Sequence, residues 1–220
     1  MTDPHAPEYE YADEATLLAV YDRAEAALRS INAPFLVMGG IASGIWGRPR
    51  WTRDIDLFVR PEDSGRALEA LEGAGFETSV EFEDWLAKAT LKDIVVDVIF
   101  RSHGDILLDD EMRERSKDVE FKKRTMRLVP PEDLVVMKAV ATSEATPRYW
   151  YDAIAIIGHT DLDWDYLVRR ARQAGVRRVL SLLLYAQSVD IVVPYSAMSS
   201  LMGVLTGAAP SAITTAEAAS

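Results

Sequence analysis

Residues 38–60 read MGGIASGIWGRPRWTRDIDLFVR, and our interpretation of the chain starts from them. An apolar segment at residues 35–38 leads into this sequence and predicts a β-strand. Two adjacent glycines then predict a tight turn, which a short helix and a basic loop follow. The last part, DIDLFV, predicts a second strand with an aspartate at its first and third positions. Residues 35–60 are thus predicted to form, in order, a strand, a turn, a helix, a loop and a second strand.

Each part of this sequence has a chemical use. Gly39 and Gly40 have no Cβ, so the backbone can approach a ligand closely. The helix that follows would offer free N–H groups and a positive dipole end to a phosphate group. Asp54 and Asp56 point to the same face of their strand, about 6–7 Å apart along it. Because Mg²⁺ prefers oxygen ligands and shares its coordination shell with substrate phosphates, the two carboxylates predict a metal site.

The same residues resemble the signature of the DNA polymerase β-like nucleotidyltransferase superfamily. In that signature a Gly-Gly or Gly-Ser turn and a helix are followed by Asp-x-Asp between apolar residues. Here thirteen residues separate Gly39-Gly40 from Asp54-Ile55-Asp56. The context Arg50-x-Thr52-x-Asp54-x-Asp56 is similar to the AbiEii-like branch, which includes toxins of toxin–antitoxin and phage-defence systems. The resemblance therefore implies an enzyme, a metal-dependent nucleotidyltransferase.

Composition and length limit the classes of protein to which the chain can belong. The 220 residues suffice for one compact domain, or for a catalytic half and a helical half. The absence of cysteine excludes disulfides and thiolate metal sites and agrees with a reducing cytosol. The polar, acidic N-terminal residues predict no secretory signal, and the longest apolar runs are too short for a membrane span. We therefore expect a cytoplasmic protein with no membrane partner.

The net charge of −11 argues against wrapping of duplex nucleic acid, because proteins that do so are usually basic. Local basic patches are nevertheless present. One lies in the loop before the aspartates, at Arg48, Arg50 and Arg53. Another lies on a later helical segment and consists of Arg169, Arg170, Arg172, Arg177 and Arg178. The later patch could supply a local footprint for a nucleic acid.

The hydrophobic pattern predicts an α/β (α+β) fold, in which a small mixed β-sheet with flanking helices is followed by a helical C-terminal region. Helices are expected at residues 14–29, from 61 to 73, and at 131–142, 147–158, 163–174, 176–190 and 194–206. Further strands are expected at 76–80, 85–91, 94–100 and 125–129. The second and third of these form a hairpin that turns at Lys92-Asp93, and the last is an edge strand. The segment 102–123 is expected to be a polar connection with some helix.

This pattern divides the chain into four regions. Residues 1–12 are expected to be a flexible lead-in, 13–130 the nucleotidyltransferase catalytic core, and 131–206 a helical region that completes the site. The tail at 207–220, GAAPSAITTAEAAS, is small and polar and is expected to be disordered.

Asp97 is the one charged residue in the apolar strand IVVDVIF. A charge in a buried strand is costly unless it is paired or bound to a metal. Taken alone, such a residue is more often neutralised by a nearby arginine. The superfamily, however, carries a third carboxylate on a strand after Asp-x-Asp. The resemblance therefore implies that Asp97 joins Asp54 and Asp56 as a metal ligand.

Lys138, Arg148 and Asp152 form a second group of interest, within PEDLVVMKAVATSEATPRYWYDAIAII at residues 131–157. Lys138 stands in an apolar run, and Arg148 and Asp152 are spaced i, i+4, so they can pair on one helix face. The simple alternative is three solvated positions on two helices. AbiEii-like proteins, however, carry a lysine after a similar Pro-Glu-Asp-Leu opening and then Arg-x-x-x-Asp. The resemblance implies that Lys138 contacts nucleotide phosphates, that Arg148 orients them, and that Asp152 is a base or a supporting anchor.

The resemblance also assigns the remaining roles. The residues that bind the nucleotide would be Gly39, Gly40, Ser43, Arg50, Thr52, Lys138 and Arg148. The catalytic residues would be Asp54, Asp56, Asp97, Lys138 and Asp152. The first three would be metal ligands and hold two Mg²⁺ ions, with a nucleoside triphosphate as substrate. Trp51, inserted in the basic loop, either stacks on a base or packs against the core.

The implied reaction is transfer of a nucleoside monophosphate from the triphosphate to a hydroxyl acceptor. The resemblance points first to RNA, in particular the acceptor end of a tRNA, and to a toxin-type enzyme, which would have a cognate antitoxin as a partner. Three alternatives stay open. The acceptor is a cationic small molecule such as an aminoglycoside, which the acidic charge favours; or it is a protein hydroxyl; or the chain is a scaffold that binds nucleotide or a partner without catalysis.

Overall fold

The computed structural model describes residues 14–207, which fall into two compact units. The first unit comprises residues 14–45, 49–102 and 107–129, and the second comprises 46–48, 103–106 and 130–207. The expected lead-in at 1–12, and all but the first residue of the expected tail at 207–220, lie outside the described residues.

The first unit contains one mixed sheet of seven strands. These are β1 (Phe35–Val37), β2 (Asp54–Val59), β3 (Glu77–Phe82), β4 (Leu86–Leu91), β5 (Ile94–Ile99), β6 (Lys117–Phe121) and β7 (Arg124–Leu128). They lie in the order β3-β4-β5-β2-β1-β7-β6, so β3 and β6 are the edges. The pairs β2–β5 and β1–β7 are parallel, and the other four pairs are antiparallel. The predicted α/β fold with a mixed sheet is therefore confirmed.

Helices accompany the sheet in the first unit. They are α1 (Glu14–Ser30), α2 (Gly39–Trp46), α3 (Ser64–Gly73) and α4 (Asp110–Arg115), and a 3-10 helix at Pro61–Asp63 leads into α3. In α1 the buried residues recur at helical spacing, as the sequence predicted. Both α1 and α3 contact β5, α1 also contacts β2, and α3 also contacts β3 and β4. The strand residues that alternate with the aspartates are fully buried, so α1 and α3 cover that face: they include Ile55, Leu57, Val96 and Val98.

The predicted hairpin of β4 and β5 is confirmed, and it turns at Lys92-Asp93. Leu91 pairs with Ile94 across the turn. Lys92 and Asp93 have φ of 51° and 61°, so both lie in the left-handed region that a two-residue I′ turn requires. The short turn fixes the register of the two strands, and that register determines which residues face one another near Asp97.

Two predictions about the sheet were wrong. The segment at 102–123 contains a strand, β6, as well as the expected helix, which is α4. The strand at 125–129, observed as β7, is not an edge, because it lies between β1 and β6. β6 has the sequence KDVEF, in which Val119 and Phe121 are half-buried on one face and Asp118 and Glu120 are exposed on the other. With only two apolar residues among five, the alternation is too short to predict a strand within a polar segment.

The second unit is mainly helical. Its helices are α5 (Pro131–Ala141), α6 (Arg148–His159), α7 (Trp164–Ala174), α8 (Val176–Ser188) and α9 (Tyr195–Thr206), each within two residues of its predicted bounds. α5 packs against α6, α7 and α8, and every residue from Pro131 to Ala139 is buried. Gly175, between α7 and α8, permits a close approach to α5, because a Cβ there would lie 2.8 Å from a methyl group of Val140.

The helices of the described residues are too short or too polar for a membrane span. Within residues 14–207, none combines the length and the apolar character that a bilayer span needs.

Candidate functional site

The N-terminus of α2 lies against the strand that carries the first two aspartates. Gly39 and Gly40 are the first two residues of α2, so the helix begins at the predicted glycine turn and not after it. The N–H of Gly40 donates to Oδ2 of Asp56 over 3.2 Å, and the N–H of Met38 donates to the Asp56 carbonyl over 2.9 Å. Gly39 has a φ of 55°, and a Cβ there would lie 1.9 Å from Asp56 Oδ2. Glycine is therefore required at this position both by the backbone and by the carboxylate.

The three predicted carboxylates lie on one face of the sheet. Asp54 and Asp56 are two residues apart in β2 and point the same way. Asp56 is the register partner of Asp97 in the parallel strand β5, and neighbouring strands lie about 4.8 Å apart. All three side chains are half-buried. Strand geometry alone thus brings the three carboxylates to adjacent positions, on the face that α1 and α3 leave open.

Each carboxylate has a different environment. Thr52 Oγ1 donates to Oδ1 of Asp54, and Asp56 accepts from Gly40. Oδ1 of Asp97 is buried and has no hydrogen-bond partner. Burial raises the pKa of the Asp97 carboxyl, Lys88 opposes the rise, and the carboxylates of Asp54 and Glu81 add to it. Asp97 is therefore the one of these three carboxylates with a buried oxygen that accepts no hydrogen bond, although Lys88 offsets part of its burial.

These residues fit a divalent cation by donor chemistry. Mg²⁺ takes carboxylate oxygens, and a buried oxygen without a partner is a group that a cation would satisfy. The side chains are not drawn together, however: within residues 14–207 no three or more carboxylate or imidazole groups form a cluster able to hold a metal ion. The strands thus place the three carboxylates side by side, while Asp54 and Asp56 accept hydrogen bonds from Thr52 and Gly40.

Lys88 is a site residue that sequence reasoning missed. It lies in β4 directly opposite Asp97, so the two side chains share a face. We had expected an arginine as the alternative partner of Asp97, and the nearby cation is this lysine. The signal was present, because a two-residue turn at Lys92-Asp93 makes residues 88 and 97 partners.

The basic loop lies at the start of α2. A Cβ on Gly40 would lie 2.3 Å from Oγ1 of Thr52 and 3.4 Å from Nη2 of Arg50, so both side chains reach the first turn of the helix. Nη1 of Arg50 donates to the Trp51 carbonyl over 3.1 Å. Ser43 is buried and donates its hydroxyl to the Gly39 carbonyl over 2.6 Å. The structure thus groups Arg50 and Thr52 with the glycines, whereas the Ser43 hydroxyl bonds to its own helix.

Trp51 is 45% exposed, so it does not pack in the core. A core position for Trp51 was therefore wrong, while packing beside the strand and base stacking both stay predictions.

In the second unit the structure brings Lys138 and Asp152 together. Nζ of Lys138 lies 2.9 Å from Oδ2 of Asp152, both residues are buried, and the ammonium lies 4.7 Å from the centre of the Tyr149 ring. The interpretation as solvated positions was therefore wrong for these two residues. The i, i+4 pairing that the spacing allows between Arg148 and Asp152 does not form: Asp152 pairs with Lys138, and Arg148 is exposed. A buried lysine needs the counter-charge more than a solvated arginine does.

A second buried charge network orders α5 against α7. Asp133 is fully buried, and it accepts from the Tyr166 hydroxyl over 2.6 Å and from Nε of Arg170. The neighbouring Glu132 accepts from the backbone N–H of Asp163 over 2.8 Å. The Pro-Glu-Asp-Leu opening therefore has a structural use. Arg170 is buried and pairs with Asp133, so it is not part of an exposed basic patch.

The other arginines of that patch are exposed at the junction of α7 and α8. They are Arg169, Arg172, Arg177 and Arg178, and we call them the junction arginines.

Comparison with known proteins places this geometry in context. The sequence matches the model of a family described as uncharacterised nucleotidyltransferase over residues 12–188. The solution structure of the antibiotic-resistance factor ANT(2'')-Ia is similar, at 16% identity and a TM-score of 0.50, and the alignment covers 81% of this chain and 95% of that one. That likeness shows a shared fold.

Two further solved structures align less well. A lincomycin-bound lincosamide antibiotic adenylyltransferase, LnuA, shows 14% identity and a TM-score of 0.46, with 66% of this chain and 99% of that chain covered. A complex of a CCA-adding enzyme with ATP shows 16% identity and a TM-score of 0.46, with 90% and 45% covered. No curated protein sequence matches the chain significantly.

Proposed function

We propose that this chain, which belongs to the family of uncharacterised nucleotidyltransferases, transfers a nucleoside monophosphate from a nucleoside triphosphate to a hydroxyl acceptor. The observation that carries the proposal is the contact between the N-terminus of α2 and β2. There the glycine backbone, the Arg50 guanidinium and the Asp56 carboxylate lie within one short region. A triphosphate needs N–H and guanidinium donors, and the Mg²⁺ that accompanies it needs carboxylate oxygens.

We assign the metal-binding role to Asp54, Asp56 and Asp97, which would hold two Mg²⁺ ions. When bound, Mg²⁺ would neutralise charge on the reacting phosphate and on the pyrophosphate leaving group. Asp97 is also a candidate base for the acceptor hydroxyl, because its raised pKa makes its carboxylate a better proton acceptor than an ordinary aspartate. Lys88, opposite Asp97, would limit that rise.

The remaining residues would bind and orient the nucleotide. The side chains of Arg50 and Thr52 reach the start of α2, where they and the backbone N–H of Gly39 are suited to phosphate oxygens. The Gly40 N–H donates to Asp56 in this structure and would have to exchange that acceptor for a phosphate oxygen. Ser43 would support the same turn through its bond to the Gly39 carbonyl. From the resemblance we propose Lys138 as a further phosphate ligand that Asp152 holds in place, and Arg148 as an orienting group.

For the acceptor we propose RNA, as in the toxin-type members that the sequence resembles. The junction arginines support this proposal, because four exposed guanidinium groups in a chain of net charge −11 form a local site for a phosphate backbone. A cognate antitoxin and cytoplasmic action belong to the same proposal. The alternative acceptor is a cationic small molecule such as an aminoglycoside, which the overall negative charge favours.

A label-transfer assay tests both the reaction and the acceptor. The protein is incubated with Mg²⁺, each α-labelled nucleoside triphosphate, and either total RNA or an aminoglycoside panel. We expect label in RNA, and we expect Asp56→Asn to lower transfer by at least about a hundredfold because one metal-binding carboxylate is lost. Asp93→Asn, in the exposed β4–β5 turn, is the matched control and should transfer normally.

The outcomes separate the candidate functions. Label on the drugs would replace RNA by a small-molecule acceptor, and label on the protein itself would indicate a protein hydroxyl. Metal-independent nucleotide binding with no transfer to any acceptor would contradict the proposed enzyme and favour a binding scaffold.

A further inference from the structure

A cavity of about 320 Å³ opens on the first unit at the end of the central strands away from the aspartates. It is lined at the start of β1, where Phe35 pairs with Val59, the last residue of β2. Asp54 is the first residue of β2, about 17 Å away along the strand. The proposed nucleotidyl transfer makes no use of this cavity. Its volume lies at the lower end of the range for small-molecule sites.

Tyr21 of α1 lines the cavity and is fully buried. Its hydroxyl has no hydrogen-bond partner. Burial, and secondly the Glu25 carboxylate, raise the pKa of this hydroxyl, so it stays protonated and can act as a donor. A buried donor without an acceptor is costly, and native proteins rarely retain one without a reason. The cavity is the space from which an acceptor could reach it.

Three arginines line the same cavity, and they are compensated to different degrees. Arg29 pairs with Glu25 over 2.7 Å, and Arg113 pairs with Asp110 over 3.1 Å. Arg127 donates from Nε to the Ser116 hydroxyl over 2.6 Å and from Nη2 to the Arg113 carbonyl over 3.1 Å.

Arg127 thus bonds to two neutral acceptors, and within residues 14–207 it forms no ion pair. Asp118 is its partner in the β6–β7 register, yet the two side chains are not bonded. These two bonds fix the guanidinium and leave Nη1 available. The cavity therefore combines a buried hydroxyl donor with the positioned guanidinium of Arg127, while Glu25, the carboxylate at its wall, is paired with Arg29.

We propose that this cavity binds a small organic anion, whose carboxylate or phosphate group accepts from the Tyr21 hydroxyl and the Arg127 guanidinium. An inorganic oxyanion would leave most of the volume unfilled. The ligand therefore carries an apolar part as well, which lies along Pro34 and Phe35 at the cavity wall. Charge-assisted hydrogen bonds to Arg127 supply most of the affinity, because bonds to charged groups are about twice as strong as neutral ones.

The test is calorimetric titration of the full chain with phenyl phosphate, benzoate and neutral benzyl alcohol. We expect at least one of the two anions to bind and to raise the melting temperature, and the alcohol to do neither. Comparison of the two anions shows whether the site takes a phosphate or a carboxylate. Tyr21→Phe should weaken binding about tenfold or more, since it removes one hydrogen bond to a charged group. The ligand-free Tyr21→Phe protein should melt no lower than the parent chain, because the lost hydroxyl had no partner.

Three further variants make the result specific. Arg127→Gln should weaken anion binding as Tyr21→Phe does. If Tyr21→Phe does not fold, the affinity of Arg127→Gln for the anion is the test of the proposal. Lys117→Gln removes an equal charge from neighbouring β6 without touching the cavity, and Arg50→Gln removes a cation from the proposed triphosphate site; both should bind the anion normally. Three results would overturn the proposal. One is loss of anion binding only in Arg50→Gln, which would place the anion at the proposed triphosphate site, and another is equal binding by all variants. The third is no binding of either anion, in which case the cavity holds only water.

Discussion

Among single residues, Gly39 is the one at which we expect substitution to be most damaging. Its φ of 55° and the 1.9 Å approach of a Cβ to Asp56 mean that Gly39→Ala has to strain the backbone or displace the carboxylate. Such strain costs about 1–3 kcal/mol. We expect the free energy of unfolding in urea to fall by this amount and nucleotidyl transfer to be lost. Gly65→Ala in α3, whose Cβ would meet no atom within 4 Å, is the control and should not destabilise the chain. Unchanged stability and activity in Gly39→Ala would show that the carboxylate can move freely.

Asp97 gives a prediction about pH. Because burial raises its pKa in the folded chain, the folded state binds this proton more tightly than the unfolded state does. Its contribution to stability is therefore present at low pH and is lost as pH rises through the raised pKa. We expect Asp97→Asn to melt higher than the parent chain at neutral pH, to lose that pH dependence, and to lose transfer activity. If the parent chain and Asp97→Asn melt at the same temperature at neutral pH, burial does not destabilise the Asp97 carboxylate and the prediction is wrong.

At the scale of elements, the β4–β5 turn is open to improvement. Lys92 and Asp93 both occupy the left-handed region, which asparagine and glycine adopt more easily. Replacing the pair by Asn-Gly should raise the free energy of unfolding by about 1 kcal/mol, measured by urea denaturation. The same replacement at Lys122-Lys123, whose φ values are 50° and 65°, should act similarly on the β6–β7 hairpin. A loss of stability at either turn would mean that the lysine or aspartate side chain makes a needed contact.

The pairing of α5 with α6 depends on a buried charge pair. Lys138→Met leaves the Asp152 carboxylate buried without the ammonium that pairs with it, so we expect a loss of about 3–5 kcal/mol in the free energy of unfolding. The double variant Lys138→Met with Asp152→Leu should recover most of that loss, because packed apolar side chains replace both charges. A double-mutant cycle by thermal and urea unfolding measures the coupling. Additive single losses would show that the two charges act independently.

The contrast between predicted and missed elements has a physical basis. Helices such as α7 and the β4–β5 hairpin carry their signal within the segment, as amphipathic period or as alternation around a turn. β6 carries only a short signal, because Val119 and Phe121 are its only apolar residues, and its pairing with β7 is not visible in its own segment. The site shows the same limit. Asp54 and Asp56 follow from one strand, whereas the pairing of Lys138 with Asp152 joins two helices and cannot be derived from spacing.

For the whole molecule, the distribution of charge decides how an RNA would bind. The chain is acidic overall and would repel RNA, whereas the junction arginines would attract the RNA phosphates locally. Arg177→Gln with Arg178→Gln should weaken RNA binding in filter or gel assays and should reduce the steepness of its salt dependence, since about one counterion fewer is released per lost contact. Nucleotide binding should not change. Lys123→Gln, an exposed cation of the first unit, is the control. An unaltered salt slope would remove these arginines from the RNA interface.

The two edges of the sheet also have a consequence for the molecule in concentrated solution. A bare edge strand can recruit the same strand of a second copy and begin a growing cross-β stack. Here β3 carries Glu77 and Glu81, and β6 carries Lys117, Asp118 and Glu120, so charge lies along both borders. Two copies that meet in register at β3 bring like carboxylates together. The charged borders thus protect the native sheet from fibre growth without any need for a covering helix.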